Sequence, residues 1–219
     1  HQVIDILPSR NTEDLCKHFL EYPYKERAEV KKIVMDLSTL FRSVAKTMFP
    51  EAKIVADKFH VIRVVINSLE NVRKRIQKEF HATKRKRFKR SRYLLLKPEY
   101  KLTDEDKTEL ARMLNSSYDL EKAYVLKERF YEVFRKQTRT EAKKELGNWL
   151  LLAADLSLPE FRHCITTFSN WKTEIANIIG ERVSNGFIEG SNNKIKVLKR
   201  ISYGVRNFDR FRNRILYLE

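Results

Sequence analysis

Two acidic residues, Asp36 and Glu189, stand in contexts that suit the binding of a divalent metal ion. Asp36 directly follows residues 30–35, which have the composition of a β-strand, and Glu189 lies in a segment rich in Asn and Lys. Cleavage and rejoining of phosphodiesters use two Mg²⁺ or Mn²⁺ ions about 3.5–4 Å apart, which clamp the attacking and leaving oxygens. Such ions need carboxylate oxygens that converge from separate elements. We therefore expect Asp36 and Glu189 to be catalytic metal ligands, and the site needs one more carboxylate.

Each of these residues also has an ordinary structural explanation. An Asp at a strand end, such as Asp36 or Asp57, can cap the following helix by accepting a hydrogen bond from its backbone. Glu189 alone can be a solvated residue on a helix surface. His60, which follows Asp57 by three positions, either orients a phosphate or a carboxylate near the metal site or is a hydrogen-bonded residue at a helix start. The residues alone leave these alternatives open.

Residues 184–200 form the most distinctive segment. On a helix, Glu189 and Asn193 are followed on the same face by Lys196 and Arg200, at spacings of four, seven and eleven from Glu189. The acid stands alone, and every later charge in the segment is positive. This pattern predicts contact with a polyanion beside a metal ligand, although the Asn pair could instead fix the helix. The DNA-binding candidates here are Asn192, Asn193, Lys194, Lys196, Lys199 and Arg200.

Positive charge dominates the whole chain. Its 219 residues include 45 Lys and Arg against 29 Asp and Glu, a net charge of +16. The 13 Phe and 9 Tyr exclude a disordered basic tail, so nucleic acid is the expected partner, with an acidic membrane surface as the weaker alternative. No apolar run approaches the roughly 20 residues that span a bilayer. Residues 84–92 contain no acid and form either a solvated helix face or a surface that contacts DNA phosphates. We prefer the contact with phosphates. The DNA-binding candidates in this run are Lys84, Arg85, Lys86, Arg87, Lys89 and Arg90.

The elements that must position these residues fall into three parts. Short strands are predicted at residues 2–7, 30–35 and 52–56, and the helical patterns between them predict parallel neighbours whose carboxyl ends carry ligand sites. Residues from about 59 to 180 show only helical periodicity, with Trp149 and Trp171 in their core. Basic positions of a closing helix after residue 206 would face phosphate. The fold class is thus α+β and helix-rich, divided into residues 1–60, an all-helical insertion at 61–180, and 181–219.

Six short motifs are distributed from one end of the chain to the other. They are VIDILPSR at 3–10, VMDL at 34–37, FPEA at 49–52, ADKFHV at 56–61, SNGFIEGSNNKIK at 184–196 and KRISYG at 199–204. In these motifs and in their order, the sequence resembles the DDE-type transposases of bacterial insertion sequences, specifically the ISL3 family. The motif that contains Glu189 is the most specific.

The resemblance implies a partial ribonuclease-H-like core interrupted by the helical insertion, and three metal-binding acids. Asp36 is then the second acid, with Asp57 to His60 as an Asp-x-x-His word, while a competing alignment makes Asp57 the second acid. Glu189 is the third acid in both. The chain is interpreted as a fragment, and the first Asp is expected before residue 1. Asp5 is not assigned this role, because its motif matches a later strand of the family's sheet. The zinc-binding and helix-turn-helix segments of the family have no counterpart here.

The function implied is metal-dependent cleavage and strand transfer at insertion-sequence ends. The cofactor would be Mg²⁺ or Mn²⁺, and the partners would be double-stranded DNA of the element ends and the target, with a homodimer as a further possibility. A bacterial, cytoplasmic and nucleoid-associated protein is expected, in keeping with two reduced cysteines. The alternatives are a DNA-binding remnant of a transposase that does not cut, and a ribonuclease-H-like nuclease that does not join strands.

Overall fold

Two parallel strands lie side by side in the computed structural model, which describes residues 3–181 and 186–217, with the backbone alone for 186–189. Strand β1 (Lys32–Met35) pairs with β2 (Lys53–Ala56), so that Met35 is opposite Ala56. Both strands are rich in the β-branched residues that pack well on a pleated surface. The parallel pairing predicted from the strand–helix–strand order is confirmed for these two strands.

Helix α3 (Thr39–Met48) connects the two strands, lies against β1 and α1, and buries Val44, Ala45 and Met48. Its first turn is capped by Ser38, whose hydroxyl accepts a hydrogen bond from the backbone N–H of Phe41 at 3.3 Å. The capping position is therefore filled by Ser38, and the explanation of Asp36 as the cap of this helix is wrong.

The strand predicted at residues 2–7 is absent from the described residues 3–7, which have no regular secondary structure. Ile4 is 82% exposed. A β-strand needs a neighbour to satisfy its backbone groups, and the described sheet has only β1 and β2. The amino-acid composition of residues 2–7 does not show whether a neighbouring strand is present.

The helices that flank this region begin at residues with clear local causes. Helix α1 (Thr12–Leu20) begins as predicted, because the Asn11 side chain accepts a hydrogen bond from the N–H of Asp14 at 2.8 Å. A short helix α2 (Tyr24–Glu29) follows Pro23 and was not predicted, since six residues carry little periodicity.

The chain divides into two compact units. Unit 1 comprises residues 1–57 and 182–219, and unit 2 comprises residues 58–181. In unit 1, helix α12 (Gly186–Ile201) is followed by a short turn and by α13 (Phe208–Tyr217). The described residues of unit 2 contain helices and no strand, in agreement with the helical periodicity of the sequence.

The core of unit 2 is aromatic. The Phe130 ring stacks on Phe168 at a centroid distance of 5.0 Å and meets Trp149 edge-on at 5.0 Å. Trp149 is 2% exposed and donates its indole N–H to the Leu126 carbonyl at 2.8 Å, and Trp171 is 1% exposed. Both tryptophans are core residues, as predicted.

The described helices of unit 2 are α4 (Lys58–Gln77), α5 (Ala82–Arg90), α6 (Arg92–Leu96), α7 (Asp104–Leu114), α8 (Tyr118–Tyr131), α9 (Arg139–Leu156), α10 (Arg162–Asn170) and α11 (Lys172–Ala176), with 3-10 turns at Glu99–Lys101, Glu132–Arg135 and Pro159–Phe161.

None of the described helices is both long enough and apolar enough to cross a membrane.

Candidate metal-binding and DNA-binding residues

The carboxylates of Asp36 and Asp57 follow two paired strands directly. Met35 is opposite Ala56 in the parallel register, so Asp36 and Asp57 occupy neighbouring positions at the carboxyl ends of β1 and β2. The backbone N–H of Asp57 donates to the Met35 carbonyl at 2.7 Å, which extends the pairing to this end. Neighbouring strands are about 4.8 Å apart, so the two acids are adjacent, as expected for a site at the carboxyl edge of a parallel sheet.

The Asp36 carboxylate has an atom whose hydrogen-bonding capacity is unused. Its Oδ1 is buried and has no hydrogen-bond partner among the residues that the structure describes. Asp57 is only 4% exposed. A buried carboxylate oxygen without a donor is rare in proteins, because burial removes its water and nothing replaces it. A cation is one partner that would satisfy such an oxygen, so a divalent ion fits the donor chemistry of this strand end.

The third predicted ligand, Glu189, is the fourth residue of α12. Its side chain is outside the described part of the structure, so the predicted meeting of the Asp36 and Glu189 carboxylates is untested. The described residues contain no group of three or more His, Cys, Asp or Glu side chains arranged to hold a metal ion. Asp36 and Asp57, at the ends of the two paired strands, are thus the described portion of the candidate metal site.

His60 lies in the first turn of α4, where its side chain is exposed. Its ring meets the half-exposed ring of Phe59 edge-on at 5.8 Å. This placement at a helix start matches the ordinary explanation as well as the functional one.

The DNA-binding candidates on α12 share one property, which is exposure to solvent. The helix spans Gly186–Ile201, as the sequence predicted, so Glu189, Asn193, Lys196 and Arg200 occupy one face of it. Between residues 190 and 208 all charged residues are cations. The candidates found exposed are Asn192, Asn193, Lys194, Lys196, Lys199 and Arg200.

The basic run of unit 2 forms helix α5, and its cations separate into two groups. Arg87 donates two hydrogen bonds to the carboxylate of Glu109, at 2.9 and 2.7 Å, and Glu109 raises the pKa of Arg87. Lys84 places its ammonium 4.0 Å from the Phe80 ring centroid. The run itself contains no acid, and the acid that pairs with Arg87 comes from α7, which is distant in sequence.

The other four cations of α5 share one side of the helix. Arg85, Lys86, Lys89 and Arg90 are exposed and have no ion pair with any described residue. At 100° per residue they span an arc of roughly 140°, whereas the buried Phe88 lies outside this arc. We refer to Arg85, Lys86, Lys89 and Arg90 as the α5 basic face. This arrangement presents four cations to solvent together, which suits a run of phosphates.

One further acid, Asp5, has a structural role in unit 1. Its carboxylate accepts hydrogen bonds from Arg212 of α13 at 2.5 Å and from the backbone N–H of Ile6 at 2.6 Å. His18 lies 3.7 Å from the same carboxylate. The expectation that the basic positions of the closing helix face phosphate is therefore wrong for Arg212, which attaches the N-terminal segment to α13.

Lowering the pH should remove the contribution of the Asp5–Arg212 pair to stability. The hydrogen bond from Arg212 holds the pKa of Asp5 below its ordinary value of 3.8, although burial opposes this. For an acid with a lowered folded-state pKa, the stabilisation is complete above the ordinary pKa and is lost as the pH falls through the folded-state pKa. We expect Asp5→Asn to lower the free energy of unfolding of unit 1 by about 1–2 kcal/mol at neutral pH.

Urea unfolding of the wild type and of Asp5→Asn at a series of pH values measures this effect. The difference between the two proteins should shrink as the pH falls from 3.8 through the lower folded-state pKa of Asp5, because protonation of Asp5 then leaves both side chains uncharged. A difference that stays constant into strong acid would show that the ion pair is not its cause.

The turn between α12 and α13 contains a residue that the sequence analysis did not single out. Tyr203 has a φ of 44°, in the left-handed region, and its side chain is 96% exposed. Gly204 follows with a φ of 85°. The Tyr-Gly pair at a helix end is the only sequence signal for this turn, because Gly often ends helices in that conformation.

Comparison with known proteins places the chain among transposases. It is 26% identical over 214 residues to the transposase for insertion sequence element IS1001 of Bordetella parapertussis, covering 96% of this chain and 52% of that protein. It is 26% identical over 203 residues to the transposase for insertion sequence element IS1557 of Mycobacterium tuberculosis, covering 82% and 46%. The chain thus spans about half the length of these relatives.

Two other comparisons add no function. A segment of 94 residues is 36% identical to an ATP-dependent protease of Lactococcus lactis subsp. lactis, but it covers 42% of this chain and only 26% of that protein. No solved structure matches the chain.

The model of the DDE-type ISL3 transposases, described as "Transposase", matches residues 1–215, and the chain therefore belongs to this transposase family.

Proposed function

We propose that this chain forms the metal-dependent catalytic region of a DNA transposase, which cleaves the ends of an insertion sequence and transfers them to target DNA. One observation supports the catalytic part of the proposal more than any other. Asp36 and Asp57 occupy neighbouring backbone positions at the ends of paired parallel strands, and the Asp36 Oδ1 is buried without a described partner. A carboxylate in this state favours a role in binding a cation over a role in stability.

In the proposed site, Asp36 and Glu189 hold the metal ions and Asp57 lies beside Asp36 at the strand ends. Divalent ions bound there would activate the attacking water or 3′-OH and would stabilise the leaving oxygen. A third carboxylate completes the set. The assignment of Asp36 as the second family acid is preferred over Asp57, because Asp57 has interactions within the protein and Asp36 Oδ1 has none with a described residue.

The α12 cations are proposed to neutralise the phosphates of the DNA strand that is cut. Lys196 and Arg200 follow Glu189 on the same helical face, about two and three turns further along α12. Cations that follow a metal ligand along one face would align the scissile phosphate with the metal. Lys194 and Lys199, with the amides of Asn192 and Asn193, extend this contact on the exposed surface.

The α5 basic face is proposed to bind DNA phosphates as well. Replacing Arg85, Lys86, Lys89 and Arg90 together with Gln should reduce the salt dependence of DNA binding. Each phosphate contact contributes about 0.9 to the slope of log Kobs against log salt concentration, so loss of four contacts lowers the slope by about 3–4. Titrations of a labelled duplex by fluorescence anisotropy at several salt concentrations measure it.

A matched control removes the same charge from unit 2 at positions where the cation already has a partner. Lys107 and Arg112 pair with Asp104 and Glu109 at 3.5 Å, Lys122 lies over the Tyr118 ring at 4.5 Å, and Arg135 pairs with Glu132 at 2.5 Å. Their combined replacement with Gln should change the slope by less than about 1. Equal changes in the two quadruple variants would mean that net charge alone determines binding.

A strand-transfer assay separates the proposed function from its two alternatives. The protein, in the longest form that contains these residues, is incubated with Mg²⁺, labelled DNA ending in its own element ends, and a target plasmid. Cleaved ends that become joined to the plasmid support the transposase. Binding without cleavage favours the DNA-binding remnant, and cleavage without joining favours the nuclease.

A further inference from the structure

The turn after α12 holds an aromatic residue in an unfavourable backbone conformation. Tyr203 has a φ of 44°, and in this region the Cβ of an L-residue crowds its own backbone, so that Gly or Asn is usual there. Tyr203 and Val205 flank Gly204, whose own φ is 85°. A bulky residue that is kept in such a conformation calls for an explanation in terms of function when its side chain makes no contact that compensates.

The Tyr203 side chain makes no such contact with the described residues. It is 96% exposed, and no described ring or cation packs against it. Two apolar neighbours, Ile201 and Val205, are also 51% and 41% exposed. Burial therefore does not explain the aromatic residue at this position.

The turn itself is held in place from both sides. The Ser202 backbone N–H and hydroxyl both donate to the Leu198 carbonyl of α12, at 2.9 and 2.6 Å. From α13, Arg214 donates to the Ser202 hydroxyl at 3.2 Å. Ser202, which precedes Tyr203, is thus hydrogen-bonded to both helices. The backbone that carries the Tyr203 ring is therefore held in place by these hydrogen bonds.

The surroundings of the ring are cationic. Lys199, Arg200 and Arg206 are exposed within four residues of Tyr203, and the first acid after Glu189 along the chain is Asp209. An exposed aromatic face among cations is the combination by which proteins bind single-stranded nucleic acid, because the ring stacks on a base while the cations hold the phosphates.

We propose that Tyr203 stacks on an unpaired DNA base next to the strand that is cut. The proposal rests on the proposed function in so far as DNA is the ligand of this surface. A stacking role explains together the exposure of the ring, the cations around it and the bulky residue at a position that favours Gly. Duplex DNA offers such a base only at an end or a distortion, so the contact selects opened ends over continuous duplex.

The test compares two fluorescent DNA probes with the same duplex sequence, one blunt and one with a single-stranded overhang of about five nucleotides. We expect Tyr203→Ala to weaken binding of the overhang probe by about 5- to 150-fold and to change binding of the blunt probe by less than about twofold. Tyr203→Phe, which keeps the ring, should bind the overhang probe like the wild type. Tyr217→Ala removes another tyrosine, 89% exposed on α13, and should leave both probes unaffected.

Tyr203→Gly tests whether the aromatic ring or the backbone conformation of the turn determines DNA binding. Gly tolerates positive φ better than Ala, so Tyr203→Gly should have a higher urea midpoint than Tyr203→Ala. Both variants should nevertheless lose overhang binding equally, because both lack the ring. Recovery of binding in the Gly variant would show that the turn, and not stacking, determines binding, and would overturn the proposal.

Other outcomes are equally informative. Unchanged overhang binding by Tyr203→Ala, or equal losses on the two probes, would refute stacking on an unpaired base. Failure of the wild type to bind either probe would refute both this proposal and DNA as the ligand. Wild-type binding that depends on Tyr203, together with no strand transfer, would uphold the stacking contact and remove the catalytic proposal alone.

Discussion

Replacement of Asp36 by Asn should abolish strand cleavage while it raises the free energy of unfolding. A metal ion at a phosphodiester is worth several kcal/mol in the transition state, so loss of a ligand should slow cleavage by about a thousandfold or more. The stability gain has a separate cause. The Asp36 Oδ1 is buried without a described partner, and Asp36 lies at the backbone position next to Asp57, so a neutral side chain removes a poorly solvated charge, for a gain of about 1 kcal/mol.

Cleavage of labelled element-end DNA and urea unfolding of the same preparations measure the two effects. Ser38→Ala is the matched control two residues away, because it removes the cap of α3 and should lower stability by about 1 kcal/mol without affecting cleavage. Asp57→Asn tests the competing alignment. Full activity of Asp36→Asn together with an inactive Asp57→Asn would transfer the role of second acid to Asp57.

Replacement of Glu189 by Gln should also abolish cleavage, but with unchanged binding of DNA. Gln has the same shape and keeps a single oxygen ligand without the charge, so a hard divalent ion loses most of its attraction to the side chain. We expect a loss of about a thousandfold in the cleavage rate. The α12 cations remain, so the Kd for element-end DNA should change by less than about twofold.

The complementary variant, Lys196→Gln, should show the opposite pattern. It lies on the Glu189 face two turns further along α12, and its loss should weaken DNA binding and lower the salt slope by about 0.9. Cleavage at saturating DNA should be affected much less than in Glu189→Gln. Strand cleavage by Glu189→Gln at the wild-type rate would refute the assignment of Glu189 as a metal ligand.

Local signals predicted the elements around the candidate site well. Asn11 caps α1, and residues 32–35 and 53–56 form parallel strands joined by α3, because capping chemistry and β-branched runs act within a few residues. The prediction for residues 2–7 failed because a strand depends on a partner elsewhere in the chain. Helix α2 was missed since it is too short to show an apolar period.

The sequence predicts which candidate residues follow a strand or lie on a helix, but it does not predict which of them lie next to one another in the fold. That Asp36 follows a strand is evident from the sequence, but that Asp57 is adjacent to it depends on the register of Met35 with Ala56. Pairing of Arg87 with Glu109 depends on α7 packing near α5, and no local pattern predicts it. The φ of Tyr203 is likewise a property of the folded turn.

The discontinuity of unit 1 has a consequence for the order of biosynthesis. Residues 1–57 carry Asp36 and Asp57, but the remainder of the unit follows only after the whole of residues 58–181. On the ribosome, unit 2 emerges from the exit tunnel before α12 does, and domains fold as units as they emerge. A nascent or prematurely terminated polypeptide therefore exposes the α5 basic face without Glu189, and in the proposed mechanism it could occupy DNA but could not cut it.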